Sequence, residues 1–190
     1  VIRSAREKFK AGHPGARLAM RFLRDIDPGV RNKVLRNLIV KQGLIAPNKR
    51  HRIAEAEGFY PPSLLVVSPT MRCNLKCYGC YAGNYTKYED LPFEEFDRII
   101  TEGKELGIYL YVVSGGEPFV WGGLLDIFEK HNDCTFQVYT NGSLLDDAMC
   151  DRLVKLGNVW PCISVEGFEK ETDERRGKGT FEKIVRAMEN

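Results

Sequence analysis

The chain has 190 residues, 43% hydrophobic and 28% charged, with 28 Lys and Arg against 26 Asp and Glu for a net charge of +2. That length fits one domain or one domain with an extension, and the composition excludes a disordered, collagen-like or coiled-coil chain. No apolar run approaches the roughly 18–20 residues of a membrane-spanning helix, and the basic start at Arg3, Arg6 and Lys8 lacks the apolar stretch of a secretory signal behind it.

The near-zero total hides a split. Residues 1–60 hold 14 Lys and Arg against 5 Asp and Glu, a balance of +9, and residues 61–190 hold 14 against 21, a balance of −7. The simplest reading packs the basic part on the acidic part, leaving an anionic membrane or nucleic acid as other partners for it. Along this first part, Ala16, Leu18, Ala19, Phe22, Leu23 and Ile26 recur near helical spacing. Asp27-Pro28 reads as an N-cap followed by proline at the first helical position, opening a helix with Val30, Val34, Leu35, Leu38 and Ile39 on its stripe and Gly43 as its stop. A third helix is expected from about Pro47 to Glu57, closed by Gly58. Tyr60-Pro61-Pro62 breaks the pattern, dividing a helical basic extension over 1–62 from an α/β unit over 63–190.

From Ser63 the rhythm becomes strand, loop, helix. Strands are expected at Leu64–Ser68, Ile108–Val113, Cys134–Tyr139 and Val159–Val165, the last interrupted by Pro161. Helices are expected at Pro92–Leu106, Gly123–Lys130 and Asp146–Leu156, and at the end, where Phe181, Ile184, Val185 and Met188 are spaced i, i+3, i+4, i+7. Such alternation implies parallel strands with helices packed outside, with ligands held at the carboxyl ends of the strands. The unusual residues cluster at those ends: Cys73–Cys80 after the first strand, Gly115–Pro118 after the second, Thr140–Gly142 after the third and Ser164–Gly167 at the fourth.

Cys73, Cys77 and Cys80 stand three residues and then two apart. Three thiolates from one loop can hold three corners of a [4Fe–4S] cube, leaving one iron open where an electron-carrying cluster would have a fourth cysteine. The alternative is a structural zinc module without redox chemistry, which needs a fourth ligand such as Cys134, Cys150, Cys162 or a histidine. Cys134, Cys150 and Cys162 fall in apolar patterns and read as buried small hydrophobes.

With these motifs in order, the chain resembles the radical S-adenosylmethionine (SAM) superfamily. The resemblance rests on Cys73-x3-Cys77-x2-Cys80, Gly115-Gly116-Glu117-Pro118, Thr140-Asn141-Gly142 and Ser164-Val165-Glu166-Gly167. The stretch Thr172–Gly177 with Gly179-Thr180-Phe181 is similar to the subgroup of peptide-modifying and sulfatase-maturing enzymes. It implies an α/β fold, a partial (β/α) barrel with about four units present, preceded by the helical extension. It implies a [4Fe–4S] cluster on Cys73, Cys77 and Cys80 whose open iron is chelated by SAM. One electron then cleaves the sulfonium to a 5′-deoxyadenosyl radical that abstracts hydrogen from a substrate. Gly115 and Gly116 permit close backbone approach, and Glu117 or the carbonyls beside it would accept from the SAM ammonium. Ser164 becomes the ribose contact and Arg176 the partner of the SAM carboxylate, by bidentate hydrogen bonds. Asn141 and Gly142 read as a turn with no catalytic role.

Two positions depart from the family pattern. Gly79 stands where an aromatic residue commonly meets adenine, leaving Tyr78 or Tyr81 for that contact, and Glu166-Gly167 stands where the subgroup often has Asp-Gly. Glycine at that place also occurs in members acting on hopanoid lipids, so the substrate class is a peptide or a lipid. The resemblance further implies an electron donor such as flavodoxin or ferredoxin and a cytoplasmic, low-oxygen setting. Peripheral membrane contact through residues 1–60 is an alternative to packing on the barrel, and no nucleic acid is expected because stacking aromatics are not interleaved with the basic residues. The 128 residues from Ser63 hold four units where the family uses six. Either part of a longer enzyme or a barrel completed in some other way is therefore expected, and such a part alone would leave an apolar sheet edge open and bind SAM weakly.

Overall fold

The computed structural model describes residues 13–84 and 89–190. The basic residues Arg3, Arg6 and Lys8 and the aromatic Phe9 lie outside them.

Helix α1 spans Pro14–Asp25 and opens with proline in its first turn, where the His13 Nδ1 accepts from Gly15 N at 3.1 Å. Helix α2, Pro28–Val34, is capped by Asp27, whose Oδ1 accepts from Gly29 N at 2.8 Å and Val30 N at 3.0 Å, as Asp27-Pro28 predicts. Gly43 does not stop this helix. The chain passes directly into a π-wound segment, Leu35–Ile45, and then into α3, Ala46–Glu57. Pro47 gives the physical reason: it lacks an N–H, and its ring crowds the carbonyl four residues back in an α-helix. A wider i→i+5 winding ahead of it removes the crowding without ending the helix. Gly58 closes α3 at φ +73°.

Four strands follow: β1 Leu65–Thr70, β2 Leu110–Gly115, β3 Thr135–Thr140 and β4 Val159–Ile163. They form one parallel sheet in the order β1-β2-β3-β4. Helices α4 (Phe93–Glu105), α5 (Leu124–Lys130), α6 (Asp147–Leu156) and α8 (Thr180–Glu189) alternate with them, together with α7 (Glu169–Arg176), which the sequence pattern missed. Among the residues of α7, Thr172 is the buried one, so it has no apolar stripe to find. In α8 the inward residues are Thr180, Ile184 and Ala187, while Met188 of the expected stripe is exposed.

The core lies on one face of the sheet. Phe96 and Ile100 of α4, Ile127 and Phe128 of α5 and Leu153 of α6 pack against Tyr111, Val113, Phe136 and Val138. Phe128 and Phe136 meet at a centroid distance of 4.6 Å. Tyr111 buries its ring and donates from its hydroxyl to the carbonyls of Ile100 and Ile108, meeting the usual requirement of a buried phenol. On the opposite face a register row runs Val66, Val112, Gln137, Trp160, and these side chains are exposed or half-buried.

Pro161 sits within β4 and does not interrupt it. Asn158 O accepts from Phe136 N and Ser164 N donates to Thr140 O, so the even-numbered residues of β4 bond to β3. Pro161 therefore directs its missing donor to the open edge, where a sheet tolerates proline.

Candidate functional site: a cysteine loop anchored at three strand ends

The loop carrying Cys73, Cys77 and Cys80 leaves β1 at Thr70. Its stem lies against the end of β2. Gly116 N donates to Thr70 O at 3.0 Å and Glu117 N to Arg72 O at 2.9 Å. Gly115 has φ +117°, and a Cβ on it would overlap the Thr70 carbonyl oxygen; one on Gly116 would overlap that of Arg72. The close approach expected of this glycine pair is thus made to the cysteine-loop stem. Thr70 Oγ1 donates to Asp90 at 2.6 Å and accepts from Arg72 N at 3.0 Å, while the Arg72 guanidinium pairs with Asp90.

The first cysteine is held at the end of β3. Asn141 Nδ2 donates to Asn74 Oδ1 at 2.8 Å, Asn74 Nδ2 donates to Ser143 Oγ at 2.8 Å, and Ser143 Oγ donates to Asn141 Oδ1 at 2.6 Å. This closed ring of three side chains puts Asn141 Nδ2 3.9 Å from Cys73 Sγ. Sequence reasoning gave Asn141 no role beyond a turn and overlooked Asn74 and Ser143. The available signal was a Thr-Asn-Gly at a strand end.

The second half of the loop is held from α7. Tyr78 N donates to Arg175 O at 2.8 Å, and Arg175 Nε returns a bond to Tyr78 O at 3.3 Å. Glu166 accepts from Arg175 Nη1 at 2.6 Å and from Arg176 Nε and Nη2 at 2.5 and 2.6 Å. The Arg176 hydrogen bonds hold the Glu166 carboxyl below the usual range, and the same pairing raises Arg176. Arg176 is therefore a half-buried partner of Glu166, not a solvated surface charge, and its Nη1 lies outside these bonds.

Cys73, Cys77 and Cys80 line one open cavity of roughly 920 Å³, with Met71, Leu75 and Ala82 also on its wall. Burial raises the Cys77 thiol, against the opposing charge of Arg176. No three His, Cys, Asp or Glu side chains among the described residues converge as a site for a single metal ion. The cysteines proposed as a fourth zinc ligand lie elsewhere. Cys134 is buried just before β3, at the opposite end of the sheet, and burial pushes its thiol up to about 12. Cys150 belongs to α6, and Cys162 accepts from Gln137 Nε2 at 3.4 Å within the sheet. Both are half-buried, so only Cys134 is the fully buried hydrophobe expected of all three.

Glu117 corrects the sequence reading. It is 0% exposed. Its carboxylate accepts from Thr140 Oγ1 at 2.8 Å, Asn141 N at 2.7 Å and Phe119 N at 3.2 Å. It ties the end of β2 to the end of β3 and has no face left for an ammonium group. Burial raises its pKa against these hydrogen bonds. Tyr81 reaches from the loop to Gly115 O at 3.2 Å, whereas Tyr78 is 85% exposed. Gly79 adopts φ +67° with open space where a Cβ would lie, so backbone conformation, not lack of room, favours glycine there. Ser164 is half-buried at the end of β4, bonded through its N–H to Thr140 O.

Comparison with known proteins fits this geometry. The chain is 31% identical over 132 residues to Fe-coproporphyrin III synthase of Methanosarcina barkeri, covering 67% of this chain and 33% of that protein. It is 37% identical over 125 residues to PqqA peptide cyclase of Granulibacter bethesdensis, covering 62% and 32%. Among solved structures, Streptococcus suis SuiB bound to the precursor peptide SuiA superposes with a TM-score of 0.58 at 25% identity, over 72% of this chain and 32% of that one. The chain thus spans about a third of the length of the curated relatives it matches. Residues 67–190 match the sequence profile of the Radical SAM superfamily, and the chain belongs to that superfamily.

Proposed function

We propose that Cys73, Cys77 and Cys80 hold a [4Fe–4S] cluster, that SAM binds at the iron they leave open, and that the reaction so initiated is hydrogen abstraction from a peptide. The observation that supports this most directly is the cysteine loop itself. It brings three thiols to one cavity, and it is anchored on three strand ends.

When bound, the pair supplies one-electron reductive cleavage of a sulfonium, chemistry that belongs to the cofactors. The chain's residues orient and shield it. The Asn141–Asn74–Ser143 ring positions Cys73, and the Arg175–Tyr78 exchange positions the segment between Cys77 and Cys80. Arg176 retains Nη1 for the SAM carboxylate while Glu166 fixes its plane. With Glu117 enclosed, the carbonyls at Gly115 and Gly116 are the acceptors left for the ammonium. Tyr81 flanks adenine and Ser164 contacts the ribose. The row Val66, Val112, Gln137, Trp160 offers a mixed wall on which a peptide side chain can rest, away from bulk water.

A peptide, not a lipid, is supported by the relatives named for peptide cyclisation and peptide binding. The electron comes from a low-potential donor of the flavodoxin or ferredoxin kind, in a cytoplasmic, low-oxygen setting. The test is anaerobic reconstitution followed by reduction with SAM. About four irons per chain and release of 5′-deoxyadenosine are expected. Zinc without iron, or iron retained after all three cysteines are changed to alanine, would overturn the reading.

A further inference from the structure

The extension has two faces of opposite character. Toward the sheet it presents Asn37, Lys41 and Gln42. Asn37 Nδ2 donates to the carbonyls of Asn132 and Cys134, Lys41 pairs with Asp133, and Gln42 accepts from Tyr109 N and donates to Ser63 O. All these partners precede strands, so the extension covers the amino-terminal end of the sheet. The cysteine loop lies at the other end, about 20 Å away along six-residue strands.

Within the π-wound segment Asn37 and Gln42 face the sheet, while Ile39 and Leu44 do not. Ile39, Val40, Leu44 and Ile45 are all exposed, Leu44 at 62%. Helix α1 adds exposed Leu18, Met20 and Leu23, with Leu18 at 69%, and Phe59 and Tyr60 follow α3. So many large apolar side chains exposed within one segment mark a surface that is covered in use.

The charge on α1 indicates by what. At 100° per residue, Arg17, Arg21 and Arg24 share one arc, while Leu18, Ala19, Phe22 and Leu23 lie on the other side. Asp25 pairs with Arg21 and Arg24 at the end of the helix and leaves that arc net positive. An uncharged apolar partner would account for the leucines but leaves the guanidinium row unexplained. An anionic bilayer accounts for both, since the acyl boundary accepts the apolar side chains and headgroup phosphates accept the arginines.

We infer that the extension is a peripheral docking surface for an anionic lipid bilayer, seated through α1 and the outward face of Leu35–Ile45. Docked this way, the cysteine loop points away from the bilayer. The membrane then holds the protein, and the substrate arrives from water. This inference stands on the extension alone and does not depend on the cluster.

Sedimentation of the chain with phosphatidylcholine vesicles, and with vesicles that also contain phosphatidylglycerol, tests it. Binding to the anionic vesicles is expected, weakened by salt. Leu18→Glu with Leu44→Glu should lower partitioning about tenfold or more, and Arg17→Glu with Arg21→Glu by about tenfold. These positions are exposed, so melting and far-ultraviolet circular dichroism should be unchanged, as should iron loading. Failure to bind anionic vesicles, or equal binding to both kinds with no effect of the variants, overturns the inference. So does a dimer that Leu44→Glu converts to monomer, because a second copy of the chain then covers this face.

Discussion

Lys33 Nζ donates to the carbonyl oxygen of Leu156, the last residue of α6, at 2.8 Å. The same relationship recurs across the end of the sheet. Lys49 Nζ donates to Lys104 O in the last turn of α4, Arg50 Nη1 to Gly107 O beyond it, and Asn37 Nδ2 to Asn132 O just past α5. In a parallel βα unit every helix ends at the same side of the sheet, so its unpaired carbonyls and partial negative charge collect there. Lys33, Lys49 and Arg50 of the extension answer that charge. Its one ion pair to the barrel among the described residues is Lys41 with Asp133. The expected match of a basic extension to acidic side chains is, for the most part, a match to helix ends.

Lys33→Met keeps the aliphatic stem and removes the donor. Loss of about 1 kcal/mol is expected, read as a lower urea midpoint with unchanged slope. An unaltered midpoint would show that the contact contributes nothing.

Asp133 accepts from Lys41 at 2.9 Å and Lys104 at 2.6 Å. Burial acts to raise its pKa, but the hydrogen bonds and charges of the two lysines prevail and hold it at about 2. Because this lies below the unfolded value of about 3.9, the stabilisation is complete above that value. It is lost as pH falls toward about 2. Allowing for solvent screening, it amounts to about 1–2 kcal/mol. Asp133→Asn should therefore lower the melting temperature at neutral pH and flatten its decline between about pH 4 and about pH 2. A variant whose acid decline parallels the parent would contradict this.

Gly116→Ala places a methyl group against the Arg72 carbonyl and pushes the loop stem off the end of β2. Overpacking of this kind costs about 1–3 kcal/mol. The strain falls on the stem, so reconstituted iron should drop severalfold while circular dichroism changes little. Full iron content in a folded variant would refute the role given to this contact.

Asn141→Ala opens the ring that holds Asn74 and frees Cys73. Asn141→Asp keeps the acceptor for Ser143 and loses the donor to Asn74. Both should load less iron than the parent and lose it faster to a chelator. If the ring matters only as a turn, the aspartate variant will behave like the parent.

Most of the α/β unit was legible in the sequence because its signals are local. Branched strands, amphipathic helices and glycine stops recur at short range, and three cysteines within eight residues state their own chemistry. The helix α7 was not legible, since it buries Thr172 and no apolar stripe. Neither was the passage through Gly43, because a π-wound segment has a period that a 3.6-residue pattern does not register.

The roles within the site divide in the same way. Sequence alone singled out Cys73, Cys77, Cys80, Gly115 and Gly116, since a thiol and a residue without a Cβ are chemically and conformationally distinct types. Only the tertiary structure decided what Glu117, Asn141 and Arg176 do. A carboxylate, an amide and a guanidinium can each bind a ligand or brace the fold, and the choice depends on which donors and acceptors distant strands bring within 3 Å. Glu117 bonds to Thr140 and Asn141 N, Arg176 to Glu166 through Nε and Nη2, and Asn141 to the loop of Cys73. Those partners lie 23, 24, 10 and 67 positions away in the chain, beyond any local pattern.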